Sequence, residues 1–134
     1  MPLLRKCFGG RAHLGDFQLT ELGMTHSSEL LKGTLQTIIL KILKDHGKTY
    51  GYEITQRVKD LSGGSILLTE GALYPTLHRL ESEGLLKTES VTVGKRVRKY
   101  YMLTTEGKQE VKERVSEFVE FMKTMTQVLQ VELR

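Results

Sequence analysis

The chain of 134 residues contains one cysteine, Cys7, two prolines, Pro2 and Pro75, and no tryptophan. A lone cysteine excludes an intrachain disulfide and fits a reducing compartment, so the expected location is the cytoplasm. No apolar run approaches the roughly 20 residues needed to span a bilayer, and no membrane partner is expected. The opening MPLLRKCFGGRAHLGDFQ carries basic residues but lacks the continuous apolar segment of a signal peptide, so export is not expected. His13, His26, His46 and His78 are scattered without metal-ligand spacing, and Cys7 lies in no recognisable element that would pair it with a histidine. No glycine-rich phosphate loop follows a strand, since Gly63 and Gly64 end a helical pattern; Glu70, Glu81 and Glu83 read as helix-surface charge. The expectation is a protein with no catalytic constellation, no metal and no cofactor.

A hydrophobic share of 39% and a charged share of 27% fit a globular chain that buries a modest core. The net charge of +4 is small, but its placement is uneven. In KTESVTVGKRVRKYYML, residues 87–103, Lys87, Lys95, Arg96, Arg98 and Lys99 face Glu89 alone, so this stretch carries the whole net charge. Randomly scattered surface charge seldom concentrates in this way.

The apolar spacing predicts four helices and a hairpin. In SSELLKGTLQTIILKILKDHG, Leu31, Leu35, Ile38, Ile39, Ile42 and Leu43 recur at helical intervals, with Ser28 as a start cap and Gly47 as a stop. YGYEITQRVKDLSGG places Ile54, Val58 and Leu61 on one face. Ser65 to Leu68 reads as a very short strand. LTEGALYPTLHRLESEGLL reads as a third helix between a Thr69 N-cap and a Gly84 C-cap, with Leu73, Leu77 and Leu80 on its apolar face. Leu86–Val93 and Val97–Leu103, rich in β-branched and aromatic residues, flank Gly94-Lys95 as a hairpin. Thr104 then caps a long charged helix. Of Tyr52, Tyr100 and Tyr101, at least one is expected in the core.

That order is the order of a winged helix-turn-helix, in which the third helix enters the DNA major groove and the hairpin touches flanking backbone or minor groove. The outer face of the third helix carries Gly71, Pro75, His78 and Ser82, flanked by Tyr74 and Arg79, with Thr69 and Ala72 completing the candidate DNA-binding set at its start. It holds no acid. Pro75 removes one helical hydrogen bond and crowds the carbonyl of Gly71, the most permissive residue available. One reading is that Pro75 opens the first turn and sets the angle at which Tyr74 and Arg79 meet DNA; the other is that it only restrains the turn. On the hairpin, Lys95 and Arg96 at the turn, with Arg98 and Lys99 beyond, are candidate phosphate contacts. Alternation sends Arg98 and Lys99 to opposite strand faces, so at most one is expected on the DNA side unless the strand twists strongly. The competing reading is a charged edge that discourages aggregation. Tyr50 is a candidate hydroxyl donor to a phosphate.

The blocks LLKGTLQTIILKIL, YGYEI, LTEGALYPTLHRLESEGLL and KRVRKYYMLTTEGK, taken in order over residues 30–108, resemble the PadR family of bacterial transcriptional regulators. The single C-terminal helix resembles its smaller subfamily. The resemblance implies a homodimer that binds a pseudo-palindromic operator, usually represses transcription, and is released by a small-molecule effector or a stress signal. Some small members hold flat aromatic drugs between tryptophans at the dimer centre; with no Trp, that mode is not carried over.

The final helix gives the dimer separate support. Val111, Val115, Phe118, Met122, Met125 and Leu129 alternate by four and three residues, the spacing of a coiled-coil seam, and Val119, Phe121 and Val128 widen the stripe. A second subunit is the natural cover, packing against the first helix; the alternative is a helix folded wholly onto its own core. Phe118, Phe121, Met122 and Met125 are either packed interface or the lining of an effector pocket.

Residues 1–27 are expected to form an extension apart from the fold. Met24 is one candidate natural start, with the preceding residues from upstream translation; a basic arm through Arg5, Lys6 and Arg11 is the other. The expectation is thus a mainly α protein with a small β-hairpin: a winged helix-turn-helix domain over 28–103 and one long dimerisation helix over 104–134. The expected function is a DNA-binding repressor, with a winged-helix protein-interaction module as the alternative.

Overall fold

The computed structural model describes residues 28–133, which form four helices and a three-stranded antiparallel sheet. Residues 1–27, with the expected extension, Met24, Cys7, His13, His26 and the basic arm, lie outside the described residues, as does the side chain expected to cap the first helix, that of Ser28.

Helix α1, Ser28–His46, is the centre of the core. Leu31, Leu35, Ile39, Leu40, Ile42 and Leu43 are all buried, so the helix is enclosed on more than one side. Gly47 ends it at φ 72°, where its N–H donates to the Leu43 carbonyl over 2.9 Å. The chain then forms β1, Thr49–Tyr50, and α2, Gly51–Leu61. Ile54 and Val58 are buried, but Leu61, expected on the same face, is 73% exposed because the core stops one turn short of the helix end.

The short strand is not where the sequence places it. Ser65–Leu68 is an irregular connection rather than a strand, and Ile66 and Leu68 pack against the core. A strand needs an edge to pair with, and Thr49–Tyr50 takes the free edge of the hairpin, Thr49 opposite Tyr101 and Tyr50 opposite Tyr100.

Helix α3, Glu70–Ser82, starts at Thr69, whose hydroxyl accepts from the Ala72 N–H, and buries Leu73, Leu77 and Leu80. It closes in a Schellman turn: the Leu85 N–H donates to Leu80, the Gly84 N–H to Glu81, and Gly84 sits at φ 81°. Strands β2, Leu86–Val93, and β3, Arg96–Leu103, pair in full register across Gly94-Lys95, one residue longer on β3 than the sequence indicates. Tyr101 is the core tyrosine. Burial first, then the neighbouring Tyr74 and Glu81, push its phenol above the ordinary range.

Helix α4, Thr105–Leu129, is capped by Thr104, whose hydroxyl accepts from the Gly107 N–H and donates to the Gly84 carbonyl over 2.7 Å. Gly107 passes so close to the α3–β2 turn that a Cβ built there would overlap the Leu85 carbonyl oxygen. Val111 and Val115, expected at the start of the dimer seam, instead face the chain's own core, because the first turns of α4 lie against α1 and β3; Val111 is buried there, Val115 packs against it, and beyond them the stripe emerges into solvent.

Candidate nucleic-acid interface

Burying Leu73, Leu77 and Leu80 turns the opposite side of α3 outward, and Gly71, Ala72, Pro75, His78, Arg79 and Ser82 are exposed. Thr69 is exposed as well, with its hydroxyl already engaged as the cap. Tyr74 stands differently. It is half-buried, and its hydroxyl lies so close to Gly51 that a Cβ at that position would overlap it. The first residue of α2 therefore fixes where the tyrosine tip can go.

On the hairpin, Lys95, Arg96 and Lys99 are exposed, whereas Arg98 is half-buried with its guanidinium 4.4 Å from the centre of the Tyr50 ring. Tyr50 in turn meets Tyr100 edge to face, with centroids 5.5 Å apart, and Lys48 stands over Tyr100 while pairing with Glu89 at 3.2 Å. A cation over an aromatic face is held by the ring quadrupole, at about 0.5–1 kcal/mol where solvent is near. Strand alternation holds, since Arg98 lies on Tyr50 and Lys99 over Tyr101. Even so, Arg98 and Lys99 both border one shallow groove of about 410 Å³, shared with Tyr74 and His78 of α3.

The Tyr50 ring gives a sharp expected result. Tyr50→Phe keeps the stack on Arg98 and loses only the hydroxyl, whereas Tyr50→Leu loses the aromatic face. If stacking is what matters, duplex affinity measured by fluorescence anisotropy falls about 2–5-fold for Tyr50→Leu and stays near the starting value for Tyr50→Phe. A fall for Tyr50→Phe equal to that for Tyr50→Leu assigns the effect to the hydroxyl instead.

Pro75 lies on the far flank of α3, where Gly71, Ala72 and Pro75 border an apolar groove of about 510 Å³ against Leu31 and Leu35 of α1. Its missing N–H would have bonded the carbonyl of Gly71, an exposed residue in the first turn of α3.

One cluster has no signature in the sequence. Arg114 of α4 is 23% exposed in its side chain, and each nitrogen of its guanidinium meets a different residue: Nε the Glu110 carboxylate at 2.8 Å, Nη1 the Gln36 side chain of α1, and Nη2 the Glu83 carboxylate at 3.8 Å. The other oxygen of Glu83 faces Arg79 Nε at 3.5 Å. Gln36, Glu83 and Arg114 are far apart in the chain, so no spacing rule joins them. Among the described residues no group of three His, Cys, Asp or Glu side chains is arranged to hold a metal, and no helix is long and apolar enough to cross a membrane.

Residues 39–113 match the model of the transcriptional regulator PadR-like family. A transcriptional regulator from Clostridium thermocellum is similar in structure, with a TM-score of 0.69 at 30% identity, covering 76% of this chain and 96% of its own. The PadR of Bacillus subtilis, solved in complex with operator DNA, matches at 32% identity and a TM-score of 0.56, over 61% of this chain and 46% of that one. A transcriptional regulator of Mycobacterium tuberculosis is 39% identical over 66 residues, 49% of this chain and 59% of that protein. The match runs from the middle of α1 through the hairpin and into α4, the same elements that place the groove and its basic flank. By that match, and by likeness over nearly the whole of the clostridial regulator, the chain belongs to the PadR-like family of transcriptional regulators.

Proposed function

We propose that this regulator binds double-stranded operator DNA as a homodimer, with residues 28–103 reading the duplex and residues 104–134 joining the two copies. The observation that carries this reading is the shared groove. Tyr74 and His78 of α3 and Arg98 and Lys99 of the hairpin border the same groove, so a duplex lying along it would meet both elements. The PadR of Bacillus subtilis in its operator complex supports it. In this reading Tyr74, His78 and Arg79 face base edges, with Thr69, Gly71, Ala72 and Pro75 allowing close approach, and Lys95, Arg96, Arg98 and Lys99 meet phosphates.

The dimer is supported by the uncovered stripe on α4. Phe121 is 55% exposed, Met122 37% and Leu129 60%, on a helix whose other residues are largely charged. A lone chain gains nothing by holding such a stripe in water, and a second copy removes it. We read Phe118, Met122, Met125 and Leu129 as packed interface. The two reading helices then lie about 34 Å apart on one face of a pseudo-palindromic site. We further infer, from the family, repression relieved by a small-molecule effector.

Arg96→Ala tests the wing. It removes a phosphate contact with no sequence content, so affinity falls for every duplex and the slope of log affinity against log salt shrinks by about one per subunit. Fluorescence anisotropy across a salt series reads both. An unchanged slope takes the wing off the DNA. Absence of any duplex binding at low salt favours a winged helix that serves protein–protein interaction.

A further inference from the structure

We infer that Arg114, on the tail helix and outside the reading surface, is a positioning residue that keeps Arg79 available to DNA by holding Glu83; this rests on the proposed role of α3 as the reading helix.

Glu83 is the C-cap residue of α3, where the helix dipole presents its negative end and a carboxylate is disfavoured unless a cation stands by. Two cations do so, one at each oxygen. Arg114 takes Oε1 at 3.8 Å and Arg79 takes Oε2 at 3.5 Å. The two partners are unequal. The Arg79 side chain is 70% exposed on the outer side of α3, while that of Arg114 is mostly enclosed and anchored from two further directions by Glu110 and Gln36. Arg114 is thus fixed and Arg79 is free to swing.

The consequence follows from how a carboxylate shares its oxygens. With Oε1 held by Arg114, Glu83 offers Arg79 one oxygen at one nitrogen, a weak contact at an exposed position. Without Arg114, both oxygens can turn to Arg79, and the planar guanidinium accepts the bidentate pairing that suits it best. Arg79 is then withheld from DNA. Arg114 prevents this without touching the duplex.

The test uses the full chain and a fluorescein-labelled duplex selected with it from a randomised pool. Arg114→Gln is expected to weaken binding about 3–5-fold, as for loss of a partly exposed charge pair, while the oligomeric state by sedimentation stays unchanged. Glu83→Gln alone is expected to bind as tightly as the unaltered chain or more so. Adding Glu83→Gln to Arg114→Gln restores binding to that level. A merely structural role for Arg114 would leave the double variant as weak as the single one, and that result overturns the inference, as does unaltered binding by Arg114→Gln. If the randomised pool yields no enriched duplex and the unaltered chain ignores DNA at low salt, the DNA reading falls and takes this role with it. If the unaltered chain binds and Arg96→Ala weakens it, failure of the rescue condemns the role of Arg114 alone.

Discussion

Gly107→Ala is expected to lower the melting temperature by roughly 10 °C or more, the largest stability effect expected of an alanine at any glycine among the described residues. The Cβ would overlap the Leu85 carbonyl oxygen, and the Leu85 carbonyl carbon and Leu103 Cδ2 stand at 3.1 and 3.2 Å. Most of that obstacle is backbone, so no rotamer change relieves it. Either α4 lifts off the α3–β2 turn or the turn shifts, and with backbone as the obstacle the cost falls at the upper end of the overpacking range, about 3 kcal/mol. Alanine's better helix propensity returns at most about 1 kcal/mol, which leaves a net loss of about 2 kcal/mol. Gly33 is the internal control. It also lies inside a helix, α1, but a Cβ there meets nothing within 4 Å, so Gly33→Ala should raise the melting temperature by a few degrees. Both are read by differential scanning calorimetry at one protein concentration, because assembly shifts the midpoint. Equal midpoints for the two variants would remove the close approach of α4 from this account.

If two copies join through α4 as proposed, Met122→Glu combined with Leu129→Glu is expected to convert that dimer largely to monomer at micromolar concentration. Each copy would bring two carboxylates into the seam, and burying an unpaired charge costs several kcal/mol even after relaxation. Association should weaken by more than about 100-fold, as followed by sedimentation equilibrium. Duplex binding should fall with it. A dimer presents its second reading head at an effective concentration near the millimolar range, which is worth about 10²–10⁴ in affinity, and a monomer forfeits that gain. The salt slope should drop to about half, since only one hairpin remains engaged. The winged domain itself, whose core ends near Val115, should keep its helical content. A persistent dimer would place the interface elsewhere than on α4.

Much of the fold could be read from local chemistry. Thr69, Gly84 and Thr104 are capping residues whose roles depend on a few neighbouring backbone groups, and all three behave as their types demand. The stripes of α1 and α3 were legible for the same reason: each repeats often enough to rise above chance. Thr49–Tyr50 was not, because two residues carry no period and their strand character comes entirely from β3, some fifty positions later. Ser65–Leu68, with its apolar run, has the better strand sequence and no edge to pair with. Leu61 keeps its helical phase but outruns its partners.

The candidate interface divides the same way. The basic excess of residues 87–103 was visible because charge is a property of the sequence itself. The stack of Arg98 on Tyr50, the pressure of Tyr74 on Gly51 and the meeting of Arg114 with Glu83 are properties of the assembled domain. They join residues whose separations obey no rule until the helices are packed.

Thr104 has a mechanical meaning. Its hydroxyl ties the end of α3 to the start of α4 through Gly84 and Gly107, and its N–H donates to Leu85 in the same turn. The tail is therefore a stiff lever held along its first turns, and past Val115 it projects from the core by about 14 residues, roughly 21 Å. A swing of about 8° where it leaves the core carries the far tip through roughly 3 Å, and a slip of about 3 Å at the tip returns the same small rotation to the turns that Thr104 ties to α3.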